Sequence, residues 1–402
     1  MRVLQIGKFY PPHMGGIETH LRTLCTELQH HAEVRVVVAN DDRCICRAQI
    51  DGVDVARMGK LLDVAAAPVC AGMAREIRRS DADIIHLHTP NPTGALAYLA
   101  SRHRGRLVVT WHSDILRQRI LKRILSPIDA IILRRASAIV VTSEAYRRTS
   151  AALGAHQSKC RVIPYGIELD RFDRIEEQKV TDIRMRYGPR ILLAVGRMVY
   201  YKGFDHLIRA MQHLRAKLVL IGEGPMRPAL EKLAAELGVA NRIAFVGELQ
   251  NEATAPYYRA ADIFVLPSIA RTEAFGIVQI EAMASGTPVV NTQLDSGVPT
   301  VSLNGITGLT VPPGNPELLG EAIDQLLNDP AQRAVFGQNA RRRAQAKFSS
   351  RAMCLSILDL YREVMKPVGV RHSNTIPSVW PANAGGRRVI DGAARFQRPQ
   401  IK

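Results

Sequence analysis

Segments that read as buried β-strands alternate with segments that read as amphipathic helices along most of the chain. The first series of strand patterns comprises residues 2–7, 34–40, 83–88, 106–112 and 138–143. Helical patterns separate several of them, notably at 16–30 and 115–135. This alternation is typical of βαβ units, in which a helix connects two parallel strands. The first part of the chain is therefore predicted to form a parallel sheet covered by helices.

A second series begins after a linker-like stretch at 161–172. Its strand patterns are 190–196, 216–222, 242–247, 262–268 and 287–292, with helices that include 203–214 and 226–237. Because a chain of 402 residues commonly divides into domains, we predict an α/β protein with two doubly wound domains, residues 1–166 and 167–350. A helix at 351–366 follows. The remaining segment, 367–402, is expected to be a disordered basic tail.

The turn after the first strand, GKFYPPHMGGIETH, contains Gly15 and Gly16 just before a predicted helix. Ligands of open α/β sheets bind outside the carboxyl ends of the strands, and the free N–H groups of a helix start suit a phosphate. The alternative is a tight turn that needs glycine for a positive φ angle. The turn is not a dinucleotide-binding fingerprint, because the third glycine of GxGxxG is missing.

Two cations follow the first strand of the second series, in the stretch VGRMVYYKGFDHL. Arg197 leaves the end of the strand, and Lys202 comes five residues later, just before a predicted helix. Two positive charges beside a helix N-terminus would neutralise a diphosphate. The alternative is that both are ordinary solvated side chains.

The stretch RTEAFGIVQIEAMASGTPVV places Glu273 and Glu281 eight positions apart around an apolar segment. Glu273 lies in a predicted loop and Glu281 in the helix that follows, so both are either solvated helix charges or ligand-binding groups. Between them, Phe275, Gly276 and Ile277 supply backbone N–H groups of the helix start, which have no partner within the helix. A sugar nucleotide needs this mixture, because its pyrophosphate takes N–H donors and its sugar hydroxyls take acceptors.

Histidines and cysteines form no pattern that is typical of a metal site. His112 follows a predicted strand and is either structural or part of the site. His86 and His88 are expected to point to opposite faces of their strand and to make a poor metal pair. Six cysteines are scattered without a CxxC pair, which indicates a reduced, cytoplasmic protein.

Together these motifs resemble those of the bacterial retaining glycosyltransferases of family four, which have the GT-B fold: two doubly wound, Rossmann-like domains that face a central cleft. The resemblance rests on the glutamate pair, the Arg197–Lys202 pair, the MGGIE turn and the PYGIELDRF linker, and covers about residues 1–366. It implies that the first domain faces the acceptor, that the second binds the nucleotide sugar, and that the helix at 351–366 packs back on the first domain. Where many relatives have Asn in the linker turn, this chain has Tyr165.

The resemblance also implies roles for single residues. Arg197 and Lys202 would hold the donor diphosphate and stabilise its departure, while Glu273 would bind hydroxyls of the transferred sugar. The predicted catalytic residues are His112, which would reach the donor sugar, Arg197, Lys202 and Glu273. The predicted donor-binding residues are Gly15 and Gly16 at the phosphate, Arg197, Lys202, Glu273, Phe275, Gly276, Ile277, and Glu281 at the ribose.

The implied reaction is retaining transfer of a hexose from a GDP- or UDP-linked sugar to a saccharide or lipid-linked acceptor, in cell-surface polysaccharide, lipopolysaccharide or glycolipid synthesis. Fixed cations would do the work that a metal ion does in Asp-x-Asp enzymes. The one such sequence here, Asp81-Ala82-Asp83, opens a strand at its amino end, which is the wrong end for a ligand. We therefore expect no metal and no other cofactor.

The charge of the chain is strongly positive, with 54 basic against 37 acidic residues and a formal net charge of +17. Basic residues concentrate at 102–148, where a helical pattern interleaves them with Leu and Ile. One interpretation is peripheral docking on the anionic inner face of the plasma membrane; the other is an ordinary amphipathic helix. We expect no nucleic-acid partner, because no recognition motif is present, and no export, because the N-terminus MRVLQIG reads as a strand.

Two other functions stay open at this point. A sugar-nucleotide epimerase of the same architecture would convert its substrate without an acceptor. A non-catalytic protein, bound to membrane or nucleic acid through its charge, would not need Glu273, Arg197 and Lys202 together.

Overall fold

The computed structural model describes residues 1–13, 15–64, 67–114 and 119–366. In chain order, the strands of its first half are β1 (Arg2–Ile6), β2 (Glu33–Ala39), β3 (Cys46–Ile50), β4 (Val53–Met58), β5 (Leu62–Val64), β6 (Ala67–Val69), β7 (Ile84–Thr89), β8 (Arg106–Trp111), β9 (Ala138–Val141) and β10 (Cys160–Val162). The second half contains β11 (Ile191–Val195), β12 (Lys217–Ile221), β13 (Ile243–Gly247), β14 (Ile263–Leu266), β15 (Val289–Thr292) and β16 (Gly308–Val311).

Helices connect the strands in both halves. They are α1 (Gly16–Leu28), α2 (Met73–Arg79), α3 (Pro92–Ser101), α4 (Arg119–Arg135), α5 (Glu144–Thr149), α6 (Asp170–Asp173), α7 (Glu177–Tyr187), α8 (Phe204–Ala210), α9 (Arg227–Glu236), α10 (Asn251–Ala260), α11 (Ile277–Ala284), α12 (Val298–Val301), α13 (Pro316–Asn328), α14 (Pro330–Lys347) and α15 (Ser350–Met365). Among the described helices, none is both long enough and apolar enough to cross a membrane.

The first sheet has eight strands in the order β10-β9-β8-β7-β1-β2-β4-β3. All of its pairs are parallel except β3 with β4, which form an antiparallel edge. Helix α1 packs on one face because Leu21, Leu24 and Leu28 recur at helical spacing and are fully buried. The C-terminal helix α15 covers the same face, where Tyr361 and its neighbours join the core that α1 shares with the sheet.

The second sheet has six strands in the order β13-β12-β11-β14-β15-β16, all parallel. This is a doubly wound order, and its connections reverse direction between β11 and β14. Separate apolar cores cover its two faces. The crevice at the carboxyl ends of β11 and β14 is therefore the place where such a sheet binds ligands.

The predicted fold class, α/β with two doubly wound parallel sheets, is confirmed. All ten strand patterns coincide with observed strands. The antiparallel pair β3–β4 was not predicted, because the polar and exposed strand β3 lacks the apolar run of a buried strand. The exact limits of the two domains stay a prediction, and the tail predicted at 367–402 lies outside the described residues.

Candidate active site

An ion pair between Lys202 and Glu273 lies at the reversal point of the second sheet. Lys202 ends a short 3-10 turn after β11, and Glu273 lies in the loop after the neighbouring strand β14. Lys202 Nζ is 2.6 Å from Glu273 Oε2, and the two residues are 8% and 9% exposed. Burial lowers the pKa of Lys202, but interactions with Glu273 above all, and with Tyr201, outweigh it, so the pKa is raised overall. Lys202 is therefore charged at neutral pH.

Arg197 lies beside this pair and is exposed. It follows β11 by two residues, and its charge acts on Tyr201, as do those of Lys202 and Glu273. Lys8, which follows β1 in the first half, lies close enough to sense this charge. Burial lowers the pKa of Lys8; Glu18 and Asp63 oppose that shift, and Arg197 adds to it. The crevice thus receives positive charge from both halves of the molecule.

The Gly15–Gly16 turn approaches the second half of the molecule directly. Gly16 is the first residue of α1, and a Cβ atom placed on it would lie 3.9 Å from Cδ1 of Ile277. Gly15 has a φ of 172°, which any residue adopts, so the alternative of a turn that needs a positive φ angle is wrong. A Cβ atom on Gly15 would lie 2.3 Å from Oε2 of Glu18, which is the end of a flexible side chain and can move aside. The turn and the start of α11 therefore face each other, and the predicted contact of Gly15 and Gly16 with a phosphate stays a prediction.

The start of α11 depends on Gly276. This residue has a φ of 78°, in the left-handed region that favours glycine, and a Cβ atom would lie 2.8 Å from Leu266 Cδ2. Phe275 is 3% exposed and packs edge to face against Tyr165 and Phe348, so its ring belongs to the core. Phe275 can therefore offer a ligand its backbone but not its ring. The first N–H groups of α11 and its dipole would favour an anion there.

Glu281 is held by two partners that hydrogen-bond to it inside the protein. The hydroxyl of Tyr258 donates to Oε2 at 2.6 Å, and the guanidinium of Arg171 pairs with Oε1. The residue is 7% exposed. Its carboxylate is therefore fixed in orientation, and its predicted role at the ribose stays a prediction.

The prediction that His86 and His88 point to opposite faces is wrong. Residues two apart in a strand share a face, and these two rings stack with centroids 4.6 Å apart. His112 joins them from the end of β8: its Nε2 lies 3.0 Å from Nδ1 of His88, and its Nδ1 is hydrogen-bonded to the hydroxyl of Tyr165. Burial lowers the pKa of His112 well below its ordinary value. Its contact with the donor sugar stays a prediction.

His20 of α1 completes this histidine cluster. Ring nitrogens of His20, His88 and His112 lie within 4.8 Å of one another. Within the described part of the chain the nitrogens of His20 have no hydrogen-bond partner, and burial lowers its pKa to about 3. The cluster is therefore neutral near pH 7. The expectation that the reaction needs no metal stays a prediction.

Two family models cover most of the chain. Residues 14–171 match the model described as Glycosyltransferase Family 4, and residues 176–343 match Glycosyl transferases group 1. The chain belongs to this glycosyltransferase family. The family and the enzyme class predicted from the sequence, a hexosyltransferase, are therefore confirmed.

Individual relatives agree with this assignment. The chain is 32% identical over 358 residues to the D-rhamnosyltransferase WbpZ of Pseudomonas aeruginosa, which covers 87% of this chain and 93% of WbpZ. It is 29% identical over 372 residues to O-antigen chain mannosyltransferase C of Escherichia coli, with 91% and 99% covered. The structure resembles that of Anabaena HepE in complex with UDP-glucose, with a TM-score of 0.77, 20% identity, and 90% and 100% of the two chains covered. The GT-B fold is thereby confirmed.

The sequence did not indicate which residues join the two halves of this glycosyltransferase. Arg271, two positions before Glu273, pairs with the buried Asp114 at 3.1 Å and donates to the carbonyl of Thr149 at 2.9 Å. Its guanidinium also lies 5.6 Å from the centre of the Tyr146 ring. The sequence shows only that an arginine stands two positions before Glu273. It does not show that this arginine pairs with an aspartate 157 positions away. The loop of Glu273 is therefore tied to the first domain.

Proposed function

We propose that this glycosyltransferase is retaining and metal-independent, and that its donor is a GDP- or UDP-linked hexose. The observation that carries the proposal is the buried Lys202–Glu273 pair at the reversal point of the second sheet. Exposed Arg197 and the N-terminus of α11 flank it. This arrangement offers fixed positive charge and a fixed carboxylate side by side, which matches a diphosphate next to a sugar.

The departing diphosphate would be stabilised by cations that the fold supplies. Arg197 is free to approach the phosphates from solvent, and Lys202 keeps its charge in spite of burial. Lys8 adds a third positive charge from the first domain. Preorganised charge of this kind lowers the barrier without any reorganisation at the moment of reaction, and removing one such group costs about 10²-fold or more in rate.

The contacts of the Glu273 carboxylate support a reaction that retains the anomeric configuration of the donor. Its carboxylate is paired with Lys202 and also accepts a hydrogen bond from Ser268 at 3.3 Å. A carboxylate held in this way is suited to accept hydrogen bonds from hydroxyl groups of a sugar rather than to attack its anomeric carbon. The acceptor hydroxyl would then attack on the face from which the diphosphate leaves, and its proton would pass to the departing phosphate oxygen.

The acceptor would be a saccharide or a lipid-linked saccharide, in cell-surface polysaccharide, lipopolysaccharide or glycolipid synthesis. The support comes from the relatives, since one is named as an O-antigen mannosyltransferase. The fold neighbour HepE is in complex with UDP-glucose, which supports a nucleotide-sugar donor. The basic stretch 102–148 supports a cytoplasmic enzyme that docks peripherally on the inner face of the plasma membrane.

Purified enzyme, a panel of GDP- and UDP-hexoses and a saccharide acceptor test the proposal together. A donor that binds the folded state raises the melting temperature, since stability increases by RT ln(1 + [L]/Kd). With that donor, we expect acceptor-dependent product whose anomeric configuration, read by NMR, equals that of the donor. EDTA should leave the rate within about twofold, because Arg197 and Lys202 provide the positive charge.

Each alternative has its own outcome in this assay. Conversion of the nucleotide sugar in the absence of acceptor would indicate an epimerase. Binding without turnover on any acceptor would indicate a binding protein. An inverted product would overturn retention, and loss of activity in EDTA with rescue by Mg²⁺ or Mn²⁺ would overturn metal independence.

A further inference from the structure

A continuous chain of buried hydrogen bonds runs through the core of the first domain. It connects seven side chains in the order Tyr165, His112, His88, Gln5, Tyr361, His86 and Thr110. Apart from the short contact between Tyr165 and His112, the donor–acceptor distances lie between 2.6 and 3.0 Å. All seven residues are buried. Such a network is rigid when every member has a partner.

The chain has one direction, which Gln5 determines. Its amide nitrogen donates to Tyr361, and its carbonyl oxygen, which can only accept, faces Nε2 of His88 at 2.9 Å. Nε2 of His88 therefore carries the proton, and its Nδ1 must accept from Nε2–H of His112. This leaves Nδ1 of His112 as an acceptor, and the Tyr165 hydroxyl is its donor.

Tyr165 also contacts the loop that carries Glu273. Its ring lies 5.1 Å from the ring of Phe275, edge to face, and 4.4 Å from His20. Phe275 in turn precedes Gly276, whose left-handed backbone begins α11. Tyr165, which lies in the linker between the domains, thus contacts both His112 in the first domain and the loop of Glu273 and Phe275 in the second, which we call the donor loop.

We infer that Tyr165 is a positioning residue: its hydroxyl fixes His112 as the neutral Nε2–H tautomer, and its ring sets the position of the donor loop at Phe275. The inference rests on the proposed function insofar as it predicts an effect on transfer. The side chain of Tyr165 is buried and contacts His112 and Phe275, so we assign it a role through these two residues rather than on the substrate.

A metal ion would require a different arrangement of these rings. The nitrogens of His20, His88 and His112 are close enough to share one, and an ion bound through Nε2 of His112, the nitrogen that faces His88, would need the lone pair of that nitrogen. The proton of His112 would then move to Nδ1, which would have to donate to Tyr165 instead of accepting from it. The position of that proton therefore distinguishes the two arrangements.

The experiment is ¹⁵N-histidine NMR of the full chain, with wild type, Tyr165→Phe and Tyr361→Phe compared. In wild type we expect His112 as the Nε2–H tautomer, with no change when Zn²⁺ is added. Tyr165→Phe retains the ring and removes only the hydroxyl, so Nδ1 of His112 should lose its hydrogen-bond signature. Tyr361→Phe, at the other side of Gln5, is the matched control and should leave the His112 signals unchanged, since both partners of His112 remain.

Activity supplies a second measurement. With Tyr165→Phe we expect kcat to fall about tenfold and the donor KM to stay within twofold of wild type. The rate should change more than the affinity, because catalysis is more sensitive than binding to the position of a group. The pH–rate profile should gain an inflection below neutrality, because His112 then has a free nitrogen to protonate. The titratable groups that face His112 are His20 from α1, His86 and His88 from β7, and Tyr165. Tyr165→Leu, which also removes the ring, should raise the donor KM as well.

The outcomes separate this inference from the proposed function. An Nδ1–H tautomer in wild type, or a Zn²⁺-dependent shift of the His88 and His112 signals, overturns the assignment of the chain. Unchanged spectra and an unchanged pH profile in Tyr165→Phe overturn the positioning role. Because the spectra need no substrate, they decide the inference even if the protein transfers no sugar.

Discussion

Nζ of Lys202 lies 2.6 Å from Oε2 of Glu273, and both side chains are only 11% exposed. Two residues that were predicted to act on different parts of the donor therefore form one unit. While the two are paired, Lys202 would share its charge between Glu273 and a phosphate, so Arg197 and Lys8 would contribute positive charge alongside it in the proposed diphosphate site. The glutamate, for its part, is oriented by the lysine before any sugar binds.

Replacing Glu273 is expected to affect both catalysis and folding. Glu273→Ala should reduce kcat/KM by about 10²-fold or more and the free energy of unfolding by about 3–5 kcal/mol, because Lys202 is left buried without its counter-ion. Initial rates and urea unfolding measure the two effects. Glu273→Gln keeps the shape of the side chain and should lose the activity as well. Near-wild-type rates in both variants would contradict the assignment of the sugar site.

Replacing Glu281 should mainly weaken donor binding, since a ribose contact does not change during the reaction. Glu281→Gln is expected to raise the donor KM about tenfold and to change kcat by less than about threefold. Tyr258→Phe is the control: it removes one hydrogen bond to Glu281, worth about 0.5–1.5 kcal/mol of stability, and leaves the carboxylate charge. A loss of kcat as large as that of the Glu273 variants would show that the two glutamates do not have separate roles.

The sequence predicted the parts of the site that depend on the ends of strands. Arg197 and Glu273 follow β11 and β14, and parallel strands bring their carboxyl ends to one edge. The sequence also placed Gly276 at the start of α11. In the structure this residue has a left-handed backbone, which few residues other than glycine tolerate. These features are local or follow directly from the topology of the sheet.

The partners of these residues could not be predicted, because tertiary packing brings them from far along the chain. Arg171 reaches Glu281 across 110 positions, and Arg271 reaches Asp114 across 157. The wrong prediction about the faces of His86 and His88 has a different cause. Side chains along a strand repeat every two residues, so these two histidines share a face. This period predicts that their rings are neighbours, but it does not predict that Tyr165 and Tyr361 supply hydrogen bonds to the cluster.

The Arg271–Asp114 pair should stabilise the contact between the Glu273 loop and the first domain. Arg271→Gln is expected to raise the donor KM several-fold, since the loop of Glu273 loses its attachment to the first domain. A double-mutant cycle with Asp114→Asn should give a coupling energy of about 0.5–3 kcal/mol in the free energy of unfolding, as is usual for residues in contact. A larger radius of gyration by small-angle scattering would accompany Arg271→Gln. Additive effects of the two substitutions would show that the Arg271–Asp114 pair does not stabilise the protein.

The buried histidines should make the protein sensitive to acid. Burial lowers the pKa of His20 and of His86 to about 3, and it lowers those of His88 and His112 as well. The unfolded chain binds these protons below pH about 6.5 and the folded chain does not, so stability is present above that pH and is lost as the pH falls toward 3.

Each such histidine should contribute a slope of about 1.4 kcal/mol per pH unit in that window. Urea unfolding between pH 7.5 and 4.5 measures the slope. His20→Phe removes one titrating group and should reduce the slope by about that amount, whereas substitution of the exposed His30 by Gln should leave it unchanged. A stability that is constant down to pH 4.5 would contradict the assignment of four neutral, buried rings.

The basic stretch 102–148 contains eleven Lys or Arg residues and three Asp or Glu residues, and helix α4 lies within it. Lys and Arg gain about 1 kcal/mol each near an anionic leaflet. Surface charges are screened within about 8 Å at physiological ionic strength, so binding should weaken as salt rises. The enzyme should therefore pellet with anionic vesicles at low salt and not with neutral ones.

Substitution by Gln at four positions tests whether this helix makes the contact. Arg119, Lys122 and Arg123 belong to α4, whereas Arg117 lies outside the described residues; the quadruple variant should stay in the supernatant. The matched control replaces four exposed arginines of the second domain, Arg186, Arg190, Arg209 and Arg215. This control variant loses the same formal charge. It should still pellet if vesicle binding depends on the position of the basic residues rather than on the net charge of the protein. A quadruple α4 variant that pellets like wild type would exclude this helix as the docking element, and a wild type that never pellets would indicate an acceptor in solution.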